Sequence, residues 1–374
     1  MKKSLLDLSH FLYCHVIKPI LFLFDAEAVH NSVTSVGQAL GKVTPLCRLA
    51  KKVTSSKNLC LTQTVSGIEF NNPVGLAAGF DYEAKLTQVL PLVGFGFGTV
   101  GTITNKPYEG NIKPRLGRLI KSRSLLVNKG FKNLGINKTV EKLKKLNPSV
   151  PMGLSIGVTN TPDLLTQEDA VRDIVEAFSI AKNSLVPFNY YELNISCPNL
   201  KVKVEFYSPS HLDRLLAEIS RINLGKPLFV KMPIDKNDNE VLDMLEVIVQ
   251  NRVQGVIFGN LQKDKFDSSI DPRDRDRFVF GNFSGKPTEK RSNELIALTY
   301  RKYREHLTII GCGGIFCAED AYKKIKLGAS LVQLVTGMIY EGPQLIGQIK
   351  MGLAELLERD GFENLTLAVG SGES

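Results

Sequence analysis

The stretch Tyr190–Leu200, YYELNISCPNL, decides the fold. An apolar run reaches Asn194 and then gives way to Ser196, Cys197, Pro198 and Asn199. A strand that ends in two carboxamides, a hydroxyl and a thiol presents chemistry at its carboxyl end. Working outward, the same kind of glycine- or polar-terminated run recurs: PVGLAAG (73–79), FGFGTVGTIT (95–104), PMGLSIG (151–157), PLFVKMP (227–233), GVIFGN (255–260), LTIIGCGG (307–314) and ASLVQLVTG (329–337). With YYELNIS (190–196) these make eight. Runs that are apolar throughout, rather than alternating, suit a parallel sheet buried on both faces. Amphipathic stretches lie between most of them, among them 166–185, 208–222, 237–251 and 318–328, with Thr166, Ser208 and Asn237 as N-caps. Eight β units with helical crossovers predict a (β/α)8 TIM barrel, whose chemistry sits at the carboxyl ends of its strands. Two long connections, 105–139 and 261–292, are expected to serve as lids or binding loops, with the charged part of the second as solvated surface.

The chain has 374 residues and a net charge of +9. Its Lys and Arg are spread along the chain without aromatic–basic clusters, so no nucleic-acid partner is expected. Cys14, Cys47, Cys60, Cys197, Cys312 and Cys317 form no CxxC pair, and no nearby His makes Cys312 and Cys317 a metal site. Reduced thiols are expected. Near the N-terminus, SLLDLSHFLYCHVIKPILFLF (4–24) is apolar but interrupted by Asp7, His10, His15, Lys18 and Pro19. A spanning helix needs ~20 predominantly apolar residues. Two short amphipathic helices joined near Lys18–Pro19 and lying on a membrane surface are predicted instead. The division is residues 1–45 as a helical membrane-docking segment and 55–374 as the barrel.

Four groups of residues carry the chemistry. Gly79, Gly313, Gly314 and Thr336–Gly337 end the first, seventh and eighth runs. Loops after the last two strands of a barrel commonly hold a phosphate on backbone N–H groups, which points to a phosphorylated cofactor such as FMN. Asn128, Asn194, Asn199 and Asn260 fall at strand ends or in a glycine-rich loop, and carboxamides both donate and accept toward a polar ring. Lys231, inside an apolar strand, needs an anion or an electron-rich ring edge to justify it. Cys197 is the candidate general base, since Ser196 is far weaker unaided.

NNPVGLAAGFD (71–81), KPYEGNIKPRLGRL (106–119), LLVNKGFKNLG (125–135), NISCPN (194–199), FSGKP (283–287), IIGCGGI (309–315) and GASLVQL (328–334) come in the order of dihydroorotate dehydrogenase motifs. The chain resembles that family, in its quinone-using class 2 branch, over nearly its whole length, and PILFLFDAEAVH (19–30) resembles the class 2 helical extension. The resemblance implies oxidation of (S)-dihydroorotate to orotate with FMN and a membrane quinone, in pyrimidine biosynthesis, by a peripheral membrane protein, and the lack of an Arg/Ser-rich, acid-poor leader, with Asp7 early, leads us to expect the cytoplasmic face of a bacterial inner membrane. It implies no iron–sulfur partner subunit. FMN would contact Ala77, Ala78, Gly79, Gly101, Thr102, Asn128, Ser155, Lys231, Gly259, Ser284, Gly285, Gly313, Gly314, Val335 and Thr336. Orotate would be held by Asn128, Asn194, Asn199 and Asn260 under the loop carrying Phe131, with Cys197 as base and His30 and Arg118 at the quinone end.

The sequence departs from the family pattern. Cys197 stands where class 2 has serine and class 1 has cysteine. Tyr82 replaces a lysine, with Lys85 one helical turn on, and VNKGFKN (127–133) is one residue short. Ser155, Gly259, Leu261 and Val335 also differ. Other readings are a class 1-like enzyme using fumarate, an FMN barrel acting on another pyrimidine or an RNA uracil, and a non-catalytic flavoprotein.

Overall fold

The computed structural model describes residues 2–43, 45, 48, 58–202, 204–278 and 280–373. Cys47 and most of the joint between the two expected segments lie outside them. The strands in chain order are β1 Gln63–Val65, β2 Ile68–Phe70, β3 Val74–Leu76, β4 Phe97–Ile103, β5 Leu116–Leu119, β6 Ser124–Val127 and β7 Met152–Ile156. There follow β8 Tyr190–Asn194, β9 Leu228–Met232, β10 Gly255–Phe258, β11 Asn282–Phe283, β12 Thr308–Cys312 and β13 Leu331–Leu334. β3, β4, β7, β8, β9, β10, β12 and β13 close into an all-parallel barrel of eight strands. These are the eight runs read from the sequence. Helices such as Gln167–Asn183, Pro209–Ile222, Asp238–Gln250 and Ala318–Lys326 form the crossovers.

Local chemistry explains the boundaries. Thr166 and Asn237 each form a capping box with the acidic residue three positions on, Asp169 and Glu240. Ser208 sits at its N-cap position ahead of Pro209, but its hydroxyl makes no cap bond and is buried without a partner among the described residues. Inside the barrel Phe97, Tyr190, Phe229 and Ile257 fill the core, and the β1–β2 hairpin contributes Phe70, edge-on to Phe97 at 5.1 Å. Glycines opposite the large rings make this possible. A Cβ on Gly153 would lie 2.1 Å from Tyr190.

The two long connections do more than hang over the mouth. β5 and β6 form a hairpin in the first, and β11 from the second pairs antiparallel with β6, giving a three-stranded sheet. The charged stretch after Ile270 is not simply solvated surface. Asp274, in the short helix Pro272–Arg275, is buried and accepts from the Ser122 amide at 2.8 Å and the Ser122 hydroxyl at 2.9 Å.

The N-terminal region differs from expectation at Lys18–Pro19. Helix α1 (Lys2–Leu12) runs through a π turn (Tyr13–Ile17) into α2 (Lys18–Phe22) without a break. Pro19 falls in the first turn of α2, directly after the wider turn, where its missing N–H is least costly. The chain reverses at residues 23–25, and Asp25 caps α3 (Ala26–Leu40) by accepting from the Ala28 amide at 2.8 Å. Residues 3–22 are long and apolar enough to cross a membrane by length and composition, with a mean hydropathy of 1.3. One side is nonetheless docked on the barrel. Tyr13 donates to the Ile339 carbonyl at 2.8 Å, and His10 Nδ1 lies 3.1 Å from the Glu341 carbonyl.

Asp274→Ala would leave the buried Ser122 amide and hydroxyl without their acceptor. It is expected to lower unfolding stability by ~2–3 kcal/mol, read by urea denaturation followed by circular dichroism.

Candidate active site and tunnel

One cavity, with about 1170 Å³ of empty space counted to its open mouth, runs from the barrel rim to the N-terminal helices. The rim brings together Ala77, Ala78, Gly79, Thr102, Asn194, Cys197, Asn199, Lys231, Gly259, Asn260, Ser284, Gly285, Gly313, Gly314, Val335 and Thr336, with Phe131 over them and His30 farther out. They come from strands far apart in sequence, and only closure of the barrel makes them neighbours.

The polar end is organised around the end of β8. Ser196 and Cys197 are placed differently with respect to the cavity. Ser196 is buried, donates to Asn194 Oδ1 at 3.1 Å, and accepts from Asn260 Nδ2 at 2.5 Å. It fixes two carboxamides and does not line the cavity. Cys197 does line it. Burial pushes its thiol up to about 12, while the Asn199 amide, Lys231 and Lys263 pull the other way. Asn194 Nδ2 donates to Thr102 Oγ1 at 2.8 Å. Asn199 donates to the Val127 carbonyl at 3.1 Å and accepts from Asn282 at 2.6 Å. Three of the four expected asparagines are thus held in fixed orientations around the thiol.

Asn128 is the exception. Leu125, Val127 and Lys129 face the cavity, so alternation along the strand turns Asn128 away, where its Oδ1 accepts from Asn111 at 3.0 Å. Ser155 is also not in the lining. It is fully buried in β7, and its hydroxyl lies 3.0 Å from that of Thr102, so it supports a lining residue. Gly101 lies behind the lining as well, and its carbonyl accepts from the Gly79 amide at 2.6 Å. Arg118 does not reach the cavity. It donates to the Phe24 carbonyl at 2.7 Å and stacks over Phe22 at 4.6 Å, pinning the turn between α2 and α3. Lys85 does not reach in either, because Glu83 holds it at 2.6 Å.

A flat phosphorylated ring fits the remaining surface. Gly79, at φ +107°, has nothing within 4 Å of where a Cβ would stand, so its face is open to a ring. At Gly259 a Cβ would lie 1.9 Å from the Cys312 carbonyl, so only glycine lets the two strand ends meet. Ser284 and Thr336 hydroxyls, 2.8 Å apart, bring the 284–285 segment against the loops after β12 and β13, where an anion would be held. Lys231 is buried in β9 and enters the cavity beside Asn194, its ladder partner on β8.

The outer arm is lined by Leu116, Leu125, Ile315, Leu334 and Ile339 and leads to His30. His30 Nε2–H donates to the Phe80 carbonyl at 2.8 Å, and the ring stacks on Tyr82 at 5.2 Å. Burial and the Lys129 charge lower its pKa to about 4, so it is neutral at pH 7. Sequence reading overlooked Lys129, a buried lysine whose ammonium also lies over the Tyr82 ring, at 4.2 Å. Its signal was there: a charged residue inside LLVNKGF, at the alternation position shared by Leu125 and Val127.

A barrel rim with an anion cradle on the last loops, an open glycine face for a flat ring and a carboxamide-ringed thiol defines a flavin-dependent oxidoreductase. The comparisons narrow the class. The family model for dihydroorotate dehydrogenase matches residues 60–357. The chain is 37% identical over 349 residues, 92% of its length and 99% of the relative's, to the dihydroorotate dehydrogenase (quinone) of Christiangramia forsetii. It is 35% identical to the protein of the same name from Roseiflexus castenholzii, covering 95% of this chain and 96% of the relative. Its fold is similar to the crystal structure of DHODH from Eimeria tenella in complex with ferulenol, with a TM-score of 0.80, 28% identity, and coverage of 93% and 95% of the two chains. The chain belongs to the dihydroorotate dehydrogenase family.

The depressed His30 pKa gives a pH test. Because folded His30 binds its proton more weakly than the unfolded residue, it contributes stability above pH ~6.5 that is lost as pH falls toward 4. His30→Phe is expected to flatten the loss of Tm between pH 7 and pH 5 relative to wild type, read by calorimetry.

Proposed function

We propose that this protein oxidises (S)-dihydroorotate to orotate, with FMN as hydride acceptor and a membrane quinone as final oxidant. The observation that carries the reading is the Cys197 thiol facing a cavity ringed by Asn194, Asn199 and Asn260, beside an open glycine face. Bound FMN would supply the hydride acceptor for substrate C6 and pass two electrons on to the quinone. Its ring would lie against Ala77, Ala78 and Gly79, and its phosphate among Gly285, Gly313, Gly314 and Thr336, with Lys231 placed to balance negative charge on the reduced ring.

The chain's own residues do the rest. The three carboxamides, fixed by Thr102, Ser196 and Asn282, orient the substrate ring before reaction. The Cys197 thiolate takes the C5 proton as the C5=C6 double bond forms. Phe131 covers the mouth, and its ring reaches toward Thr102 and Gly157. A thiol held near 12 is mostly protonated at neutral pH, so the base must be generated against that burial.

The apolar arm ending at neutral His30, on α3, suits a quinone ring and tail. The N-terminal helices expose Leu8, Phe11, Leu12, Ile20, Leu23 and Phe24 on the side away from the barrel, which supports docking on a membrane surface. The positions of Tyr13 and His10 on barrel carbonyls favour a helix lying along the membrane over one crossing it. The cytoplasmic face of a bacterial inner membrane and the division into residues 1–45 and 55–374 belong to the same reading. The soluble-acceptor alternative has less support, since nothing in a fumarate enzyme calls for the apolar arm.

Cys197→Ser is expected to retain weak dihydroorotate-dependent dye reduction and Cys197→Ala to lose it, a fall of ~10²–10⁴-fold in steady-state assays. In wild type the rate should climb through the alkaline range, because a base held near 12 gains thiolate as pH rises. Removing residues 1–40 should abolish quinone reduction while dye reduction survives, and equal loss of both would argue against the tunnel.

A further inference from the structure

The reaction proposed above brings two anions into one cavity, the cofactor phosphate and the substrate carboxylate. The glycine loops serve the first. Three lysines line the cavity: Lys129, Lys132 and Lys231. Lys132 is paired with Glu27 at 3.4 Å. Lys231 stands in the barrel wall, and its charge acts on the buried Glu192 carboxyl of the neighbouring strand. Lys129 is 8% exposed, and its ammonium makes no hydrogen bond or ion pair among the described residues. Among the described residues it meets the Tyr82 ring, at 4.2 Å, and the Glu27 and Glu83 carboxylates act on it only through space. An ammonium removed from water, with a ring beneath it and no hydrogen-bonded or paired carboxylate, is under-compensated until an anion joins it.

A second observation comes from the backbone of the same loop. Its carbonyls are tied back: Lys129 O accepts from the Asn111 amide at 3.3 Å, Gly130 O from Asn160 Nδ2 at 3.1 Å and Phe131 O from Asn133 Nδ2 at 2.7 Å. The amides of Lys129, Gly130, Phe131 and Lys132 donate to no group among the described residues. Gly130 and Phe131 are both left-handed, at φ +62° and +63°, which curves the segment. Successive free N–H groups on a curved segment make an anion-binding concavity. Side chain and backbone converge on one requirement, a small anion beneath the loop that also carries Phe131.

We propose that the Lys129 ammonium, seated on the Tyr82 ring, is the cation that binds the carboxylate of dihydroorotate and selects it over neutral pyrimidines. This rests on the functional reading above. Glu27, Glu83, Lys132 and Arg115 are the charged groups that act on Lys129, and neutral His30 shares the Tyr82 ring with it. Burial lowers its pKa to about 7 in the free protein, so its charge fades as pH rises past that value.

The test uses the full-length flavin-loaded protein, as wild type, Lys129→Met and Lys129→Arg. Binding of orotate and of its neutral amide, orotamide, is read from the shift of the flavin absorbance band. KM is measured for dihydroorotate and for the quinone between pH 6 and 9, a window that brackets the pKa of about 7. Lys129→Met should weaken orotate by ~10–100-fold and leave orotamide unchanged. In wild type the KM for dihydroorotate should rise above pH ~7, and Lys129→Arg should remove that rise by keeping its charge. The melting temperature of Lys129→Met should hold or increase, because a buried uncompensated charge is gone. Equal weakening of orotate and orotamide, or no weakening, overturns the proposal. So does an effect confined to the KM of the quinone, which would place Lys129 in the oxidant's arm. If wild-type flavin is not reduced by dihydroorotate but orotate still discriminates at Lys129, the functional reading fails and this inference stands.

Discussion

Closure of eight parallel strands forces every strand's carboxyl end to a single rim. That constraint makes neighbours of Gly79, Cys197, Lys231, Asn260 and Gly313, which are scattered over most of the chain. It also leaves the rim in need of polar partners, because the strand ends carry hydrogen-bonding groups with no next residue in the ladder. Ser196 is one answer. Buried at the end of β8, it holds Asn194 on one side and Asn260, from the end of β10, on the other. The Cys197 thiol that lines the cavity is on the next residue, so its placement depends on how Ser196 is anchored.

The second layer of organisation is the fastening of the N-terminal helices to this rim. Arg118 grips the turn at Phe22 and Phe24, and Glu27 on α3 pairs with both Arg115 and Lys132. His30, one turn along α3, donates to the Phe80 carbonyl just after the open glycine face. The segment that would meet the membrane is therefore bonded to the loop that would cover the substrate. The basis is partly buried ion pairs and hydrogen bonds to main-chain carbonyls, which hold position better than exposed charge pairs do.

The barrel was legible in the sequence because its strands are buried on both faces and so read as unbroken apolar runs. All eight coincide with barrel strands. The sheet of β5, β6 and β11 was not legible, because Asn282 and Val127 pair across more than a hundred residues and β11 is only two residues long. At the site, residue types were easier to read than their directions. Asn128 has the right chemistry and faces away, while Lys129 beside it faces in, and one residue of strand register separates the two. Ser155 and Gly101 support lining residues from behind. Arg118 belongs to the helix clamp, a contact visible only once the N-terminal helices are placed. Pro19 was read as a break, but a proline in the first turn of a helix is compatible with continuation.

The central claim is that this cavity brings dihydroorotate, a flavin and the Cys197 thiol together for one two-electron oxidation. Its most direct test is a single turnover without oxygen or quinone, mixing the flavin-loaded protein with dihydroorotate and following the flavin's visible band. The account predicts full bleaching at one equivalent of substrate, slowed by deuterium at C5 because proton removal is part of the step. A protein that binds flavin and orotate yet shows no bleaching with dihydroorotate would contradict it.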